Sequence, residues 1–171
     1  LEGDPRFAQL HADARALANS RDRLPTGGLR DGYYYNFWQD EAHVRGIYRR
    51  APVAAFARDG NPQWETVLDI DAIAAAENAN WVFKGIDCLE GSTRCMVQLS
   101  DGGKDASTFR EYELSTRAFV ANGFVVPEAK SSVAWLDRDT LLVGTDWGDG
   151  SMTESGYAFI IKRWTRGTPL A

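Results

Sequence analysis

The strongest constraint in this chain is a change of hydrophobic period. Phe7, Leu10, Ala14 and Leu17 recur at helical spacing behind Asp4 as an N-cap and Pro5 at the first helical position, which predicts a helix over 4–19. Residues 20–30, with Pro25 and the Gly27-Gly28 pair, read as a linker. Beyond it the period becomes two. Tyr33, Tyr35 and Phe37 fall on one face of a strand, with Tyr34, Asn36 and Trp38 on the other. Alternation continues through 43–50 and Trp64–Ile70, and Asp71 reads as the cap of a short helix over 72–78. Strands then follow near 81–86, 94–100, 108–114, 132–136, 140–146 and 157–165, with turns at Asp101-Gly102-Gly103, Asp137-Arg138-Asp139 and Gly148-Asp149-Gly150.

These cycles begin near residues 33, 81 and 132. A repeat of about 50 residues with roughly four short strands each is the signature of propeller blades. The expected fold class is all-β, a partial β-propeller of about three four-stranded blades behind one N-terminal α-helix. Propellers close with about four to eight blades, so three would leave apolar faces uncovered and the chain reads as a piece of something larger. A β-sandwich shares the strand spacing. The 20 aromatic residues (6 Trp, 6 Tyr, 8 Phe) fit a sheet-rich fold, because strands accept them readily. The start Leu1-Glu2-Gly3-Asp4 has neither Met nor a leader, so the lack of a signal peptide is uninformative.

Charge and motifs exclude several function classes. A net charge of -5 and a pI near 5.0 supply no basic stripe for nucleic acid or anionic membrane. No apolar run is long enough to span a bilayer. There is no G-x-S-x-G, no phosphate loop, and no H-x-x-x-H or C-x-x-C pair, so neither cofactor nor metal is expected. Asp69-Ile70-Asp71 resembles the start of a calcium loop but lacks the following Asn or Asp and the Gly, so a strand end plus helix cap is the better reading. His43 reads as a polar surface or hydrogen-bonding residue rather than a general base, and His11 lies far from it in sequence. Arg49, Arg50 and Arg163 read as solvated or cross-strand partners of acids. The run Tyr33–Trp38 reads as packing, with a sugar-stacking platform as the functional alternative. Cys88 and Cys95 flank the turn-like 90–93, and read as free, half-buried thiols ahead of a hairpin disulfide.

Several stretches carry a family resemblance. They are Tyr35-Asn36-Phe37-Trp38-Gln39-Asp40, His43-Val44-Arg45-Gly46, Trp64-Glu65-Thr66-Val67-Leu68-Asp69, Asn80-Trp81-Val82-Phe83-Lys84-Gly85, Ser100-Asp101-Gly102-Gly103-Lys104-Asp105, Pro127–Trp135 and Thr153-Glu154-Ser155-Gly156-Tyr157. In this order they resemble the bacterial branch of the prolyl oligopeptidase family of serine peptidases. The resemblance implies an α/β-hydrolase domain with a seven-bladed propeller inserted. Residues 1–30 would end the first hydrolase segment, and blades would lie near 31–78, 79–127 and 128–171. None of the triad residues maps onto this chain. The implied role is gating of an enzyme that cleaves short peptides after proline, with partners in the remaining blades, the catalytic domain and short proline-containing peptides. Self-association through open blade faces is a further expectation. The loop Trp147–Ser155, with Trp147, Met152 and Glu154, reads either as a plain inter-strand loop on the outer rim or as an element reaching toward the substrate cavity. The competing reading is an independent all-β module whose exposed aromatics hold carbohydrate or peptide.

Overall fold

The computed structural model describes residues 2–18, 20, 24–59 and 62–170; Asn19 and residues 21–23, within the expected helix end and linker, lie outside them. The chain divides into two compact units, Leu1–Thr66 and Val67–Ala171.

The first unit opens with α1, Phe7–Ala18. Its regular turns start later than the sequence suggests, at Phe7; ahead of them the Asp4 carboxylate accepts from the Arg6 N–H at 2.9 Å, as a cap does, and the Phe7 N–H donates to the Asp4 carbonyl at 2.9 Å in a preceding turn. No residue of α1 is buried, and its stripe residues Leu10 and Leu17 are exposed. Then come β1 (Gly27–Arg30), β2 (Tyr33–Trp38), β3 (Ile47–Pro52), α2 (Val53–Asp59) and β4 (Glu65–Asp69), in which the first unit ends; the sheet order is β1-β2-β3-β4, with β1–β2 and β2–β3 paired antiparallel. Two expectations change here. Gly27–Arg30 is no linker but a strand paired residue for residue with Tyr33–Asn36. The helix α2 is an addition, held where Phe56 stacks on Tyr34 at 4.3 Å between ring centroids. At the entry to β3, Gly46 has φ +100° and the Phe37 ring fills the space a Cβ would need, so glycine is required.

The aromatic run is consumed by packing in this unit. The Arg49 guanidinium lies 4.2 Å from the ring centroids of both Trp38 and Trp64, and its Nε donates to Asn36 Oδ1 at 2.9 Å. Buried Asn36 in turn donates to the Thr26 carbonyl at 2.7 Å. Arg50 pairs with Glu65 at 2.6 Å and lies over the Tyr33 ring.

In the second unit α3 (Ile70–Glu77) is capped by Asp69, not Asp71: Asp69 Oδ1 accepts from the Ala72 N–H at 2.9 Å. Asp71 sits in the first turn, where a carboxylate suits the helix dipole. A five-stranded sheet follows, β5 (Trp81–Cys88), β6 (Arg94–Asp101), β7 (Ser107–Glu113), β8 (Ala118–Phe119) and β9 (Val125–Ala129), in which β8 and β9 both pair with β7. The last sheet contains β10 (Ser132–Asp137), β11 (Thr140–Gly144) and β12 (Ile161–Thr165). Among the described residues the three sheets thus hold four, five and three strands, where about four each are expected. Strand β12 starts at Ile161 because 157–160 belong to a loop. Cys88 and Cys95 face each other across β5 and β6 and are joined by a disulfide, not free as thiols.

A core of Met96, Phe109, Phe124 and Val126 from the second sheet and its approach to β9 meets Leu141 and Val143 of β11. Trp135 and Trp164 pack edge-on against the Phe124 ring. Beside this core lies a carboxylate, Glu111, whose side chain is fully inaccessible. Arg166 clamps it with two contacts, Nη1 to Oε2 at 2.7 Å and Nη2 to Oε1 at 3.0 Å. Arg94 Nη1 donates to Oε1 at 3.0 Å, and the Phe124 N–H to Oε2 at 2.8 Å. Arg94 Nε lies 2.8 Å from Glu113 Oε2 but off line for a hydrogen bond, so that contact is electrostatic. Arg166 also holds Asp139 and the Arg138 carbonyl, and lies over the Phe124 ring.

Burial alone would push the Glu111 carboxyl up; the hydrogen bonds from Arg166, the Phe124 N–H and Arg94 outweigh it and hold it below its ordinary value. Glu113 is also held low: burial opposes this, and hydrogen bonds from Thr93 and Ser115 and the Arg94 charge outweigh it. Both groups therefore bind protons more weakly folded than unfolded. Stability is expected to be flat above about pH 5 and to fall as the pH drops below the unfolded carboxylate value of about 4.3 and on through their folded values. Thermal unfolding followed between neutral and acid pH checks this. Glu111→Gln is expected to lower the neutral plateau by about 3 kcal/mol and to flatten part of the acid limb; an acid limb unchanged in that variant contradicts the assignment.

Candidate functional site

Gly144 at the end of β11 pairs directly with Ile161 at the start of β12, so residues 145–160 leave and return at one point. A connection this long between paired strands is a loop with its own interior rather than a tight turn. Its base is built on Ser151, which is buried. Ser151 Oγ donates to the Gly148 carbonyl at 2.6 Å and accepts from the Trp147 N–H at 2.9 Å. The Trp147 indole N–H reaches the Ile160 carbonyl at 3.0 Å, and Lys162 Nζ lies 4.3 Å from the Trp147 ring centroid. Asp146 Oδ1 accepts from the Gly148 N–H at 2.9 Å. Beyond this base, Met152 bridges to Ala158 and the Thr153 N–H donates to the Tyr157 carbonyl at 2.8 Å, which makes a small hairpin with Glu154 at its exposed tip.

Strand direction puts this loop at the same end of its sheet as the β9–β10 connection, and Lys130 of that connection fastens it. Lys130 Nζ donates to the Ser155 carbonyl at 2.8 Å, sits 4.5 Å from the Tyr157 ring centroid and lies 3.5 Å from Asp105 of the β6–β7 turn. Lys104 in that turn pairs with Glu128 at 2.9 Å. One lysine-pinned rim therefore gathers three connections.

The three residues read from sequence lie along this loop but do not converge. Trp147 is at the base against the core and lines a pocket of about 120 Å³ with Pro127, Thr145 and Leu170. Met152 is half-buried in the bridge, and Glu154 stands in solvent. Ser151 is no nucleophile, since its hydroxyl is spent on Gly148 and Trp147. The sequence reading passed over Lys130, although Lys130-Ser131-Ser132 sits just ahead of β10 and so at a strand end.

In the first unit His43 is a hydrogen-bonding residue of a turn, as its place ahead of a strand suggests. His43 Nδ1 is 2.9 Å from Asp40 Oδ1, which also accepts from the His43 and Ala42 N–H groups, while the Trp38 indole donates to Oδ2 at 3.0 Å. Burial pushes the Asp40 carboxyl up, but these bonds, that of His43 foremost, bring it down to about 2. The pair closes the β2–β3 turn. Arg163, on β12, is exposed.

A model of the prolyl oligopeptidase N-terminal β-propeller domain matches residues 9–168. The chain is 45% identical to a protein of Sinorhizobium fredii described as an uncharacterized peptidase, over 99% of this chain and 24% of that protein. It is 31% identical to a second such peptidase, of Rickettsia prowazekii, over 98% of this chain and 24% of that protein. A solved post-proline cleaving enzyme from Rickettsia typhi superposes with a TM-score of 0.86 at 28% identity, covering 99% of this chain and 26% of that one. Oligopeptidase B from Leishmania major, at 16% identity and a TM-score of 0.64, covers 95% of this chain and 22% of that one and is alike in fold. The chain thus spans 24% of the length of each of these curated relatives, and its three successive sheets are blades of a partial β-propeller.

Ser151→Ala is expected to loosen the loop base, since it strands the Trp147 N–H at a cost of about 1–3 kcal/mol. Hydrogen exchange at residues 145–160 should quicken while β6 and β7 keep their protection; equal loss of protection in both places contradicts a local role.

Proposed function

The chain belongs to the prolyl oligopeptidase family, within its N-terminal β-propeller domain, and we propose that it forms the first part of the cap over the active site of a post-proline-cleaving serine peptidase. The observation that carries this reading is the likeness to the Rickettsia typhi enzyme along 99% of the chain. The chain would act by exclusion: blades wall off a cavity, long substrates are kept out, and the nucleophile, base and oxyanion donors come from the rest of the polypeptide. Residues ahead of β1 would close the first catalytic-domain segment, which gives the exposed Leu10 and Leu17 of α1 a surface to bury against. Exposed Phe159 just ahead of β12 and Ile161 at its start would meet the next blade, and in the isolated chain would drive self-association.

Within this cap the 145–160 loop would face the peptide, with Trp147 as its fixed aromatic base and Glu154 as the charged tip. The independent carbohydrate-binding reading loses its carrier, because the Tyr33–Trp38 run is packed against Phe56, Trp64 and the two arginines.

The isolated chain is expected to hydrolyse no proline peptide. In the full polypeptide the rate at a proline bond should fall by about tenfold or more from a short peptide to a protein-length substrate, an added barrier of ~1.4 kcal/mol. Trp147→Ala should weaken that discrimination. A rate independent of substrate length overturns the cap reading.

A further inference from the structure

Strands β5 and β6 are anchored unequally, and the disulfide joins the looser to the firmer. At the hairpin end, β6 is tied inward: Arg94 reaches both Glu111 and Glu113, and the Thr93 carbonyl accepts from the Leu114 N–H at 2.9 Å. Strand β5 is the terminal strand of its sheet, and its ladder to β6 is interrupted by a bulge between Phe83 and Gly85. Across its outer edge, the Trp135 indole donates to the Asp87 carbonyl at 3.2 Å, at the long end of the hydrogen-bond range. Cys88 and Cys95 face each other at the last position before the Leu89 N–H, which donates to the Arg94 carbonyl at 2.9 Å. The segment they clamp, Gly85–Asp87, is one wall of a cleft of about 380 Å³ whose opposite wall is Ser131–Val133.

We propose that the Cys88–Cys95 disulfide is a thiol-operated latch on this cleft. Cys95 is fully buried and Cys88 partly exposed, so an incoming small thiol, as its thiolate, attacks Cys88 Sγ. The Cys88–Cys95 bond breaks, Cys95 leaves as a thiolate and takes up a proton. A second thiol then attacks the mixed disulfide, releasing the reductant's own disulfide and leaving Cys88 as a thiol. Two reductant thiols are oxidised, and two electrons and two protons end on the cysteines. The Cys95 thiol finds an acceptor in the Thr93 carbonyl, 3.7 Å from Sγ. With the bond cut, β6 keeps its arginine anchor, while β5 between the bulge and Leu89 loses its covalent tie and swings from the cleft. The latch acts on this chain's own cleft, so its test is separate from that of the cap reading.

Amide exchange in the full polypeptide that carries these residues, with and without dithiothreitol, decides it. On reduction the Leu89 amide is expected to exchange about tenfold faster or more while the Leu114 amide holds its rate, as for local opening. The double variant Cys88→Ser with Cys95→Ser should exchange fast at Leu89 with or without dithiothreitol. Three results overturn the proposal: both amides speed up by the same factor, which marks a general staple; Leu89 keeps its rate on reduction; or the intact mass shows two free thiols before any reductant is added.

Discussion

A buried carboxylate sets the terms for the second unit. Glu111 projects from β7 into the layer shared with β11, where an unpaired charge costs several kcal/mol, and it is tolerated because Arg94 and Arg166 both reach it. Arg166 comes from beyond β12 and Arg94 from β6, so one carboxylate joins two successive sheets through side chains 55 and 17 residues away in sequence. A bidentate guanidinium contact fixes orientation as well as distance. Apolar packing of Phe124 against Trp135 and Trp164 supplies area without direction; the arginine contacts supply the register in which that area is buried.

The topology separates the buried ionic cluster from the rim loop. The Glu111 cluster, the β5–β6 hairpin with its disulfide and the Asp137–Asp139 turn lie toward one end of the strands. The β6–β7 turn, Lys130 and the 145–160 loop lie at the other. Ionic bonding at the first end is buried and hydrogen-bonded. At the second it is exposed and made by lysines, whose single contacts are worth little in water. A loop held that way can adjust without disturbing the core, as the proposed cap asks of its rim.

Period two was enough to place most strands: β5, β6, β7 and β10 begin within one residue of where alternation begins. Where the alternation rule failed, local chemistry had won. Gly27-Gly28 reads as linker, yet β1 pairs there, and the pairing is what requires the glycine, since a Cβ at Gly27 would strike the Tyr35 carbonyl. Asp69 took the cap from Asp71 because its own extended backbone ends β4. Glu111 was half legible, since it shares a strand face with Phe109 and so had to be either buried or the end of a face. Arg166 was not legible at all, because nothing in sequence marks a partner so distant. Lone cysteines seven apart likewise allow a disulfide without requiring one, until register puts Cys88 opposite Cys95. The rim loop was legible as glycine-rich, but its Ser151 base and its Lys130 pin depend on contacts formed only once β9 and β11 are in place.

The most direct measurement is a double-mutant cycle on Glu111 and Arg166, with Glu111→Gln, Arg166→Met and the pair read by chemical unfolding. The account predicts a coupling of about 2 kcal/mol or more between the two positions. Single-variant losses that add to within about 0.5 kcal/mol would contradict it, and would leave the joining of the two sheets to apolar packing and the Trp135–Asp87 and Lys130 contacts.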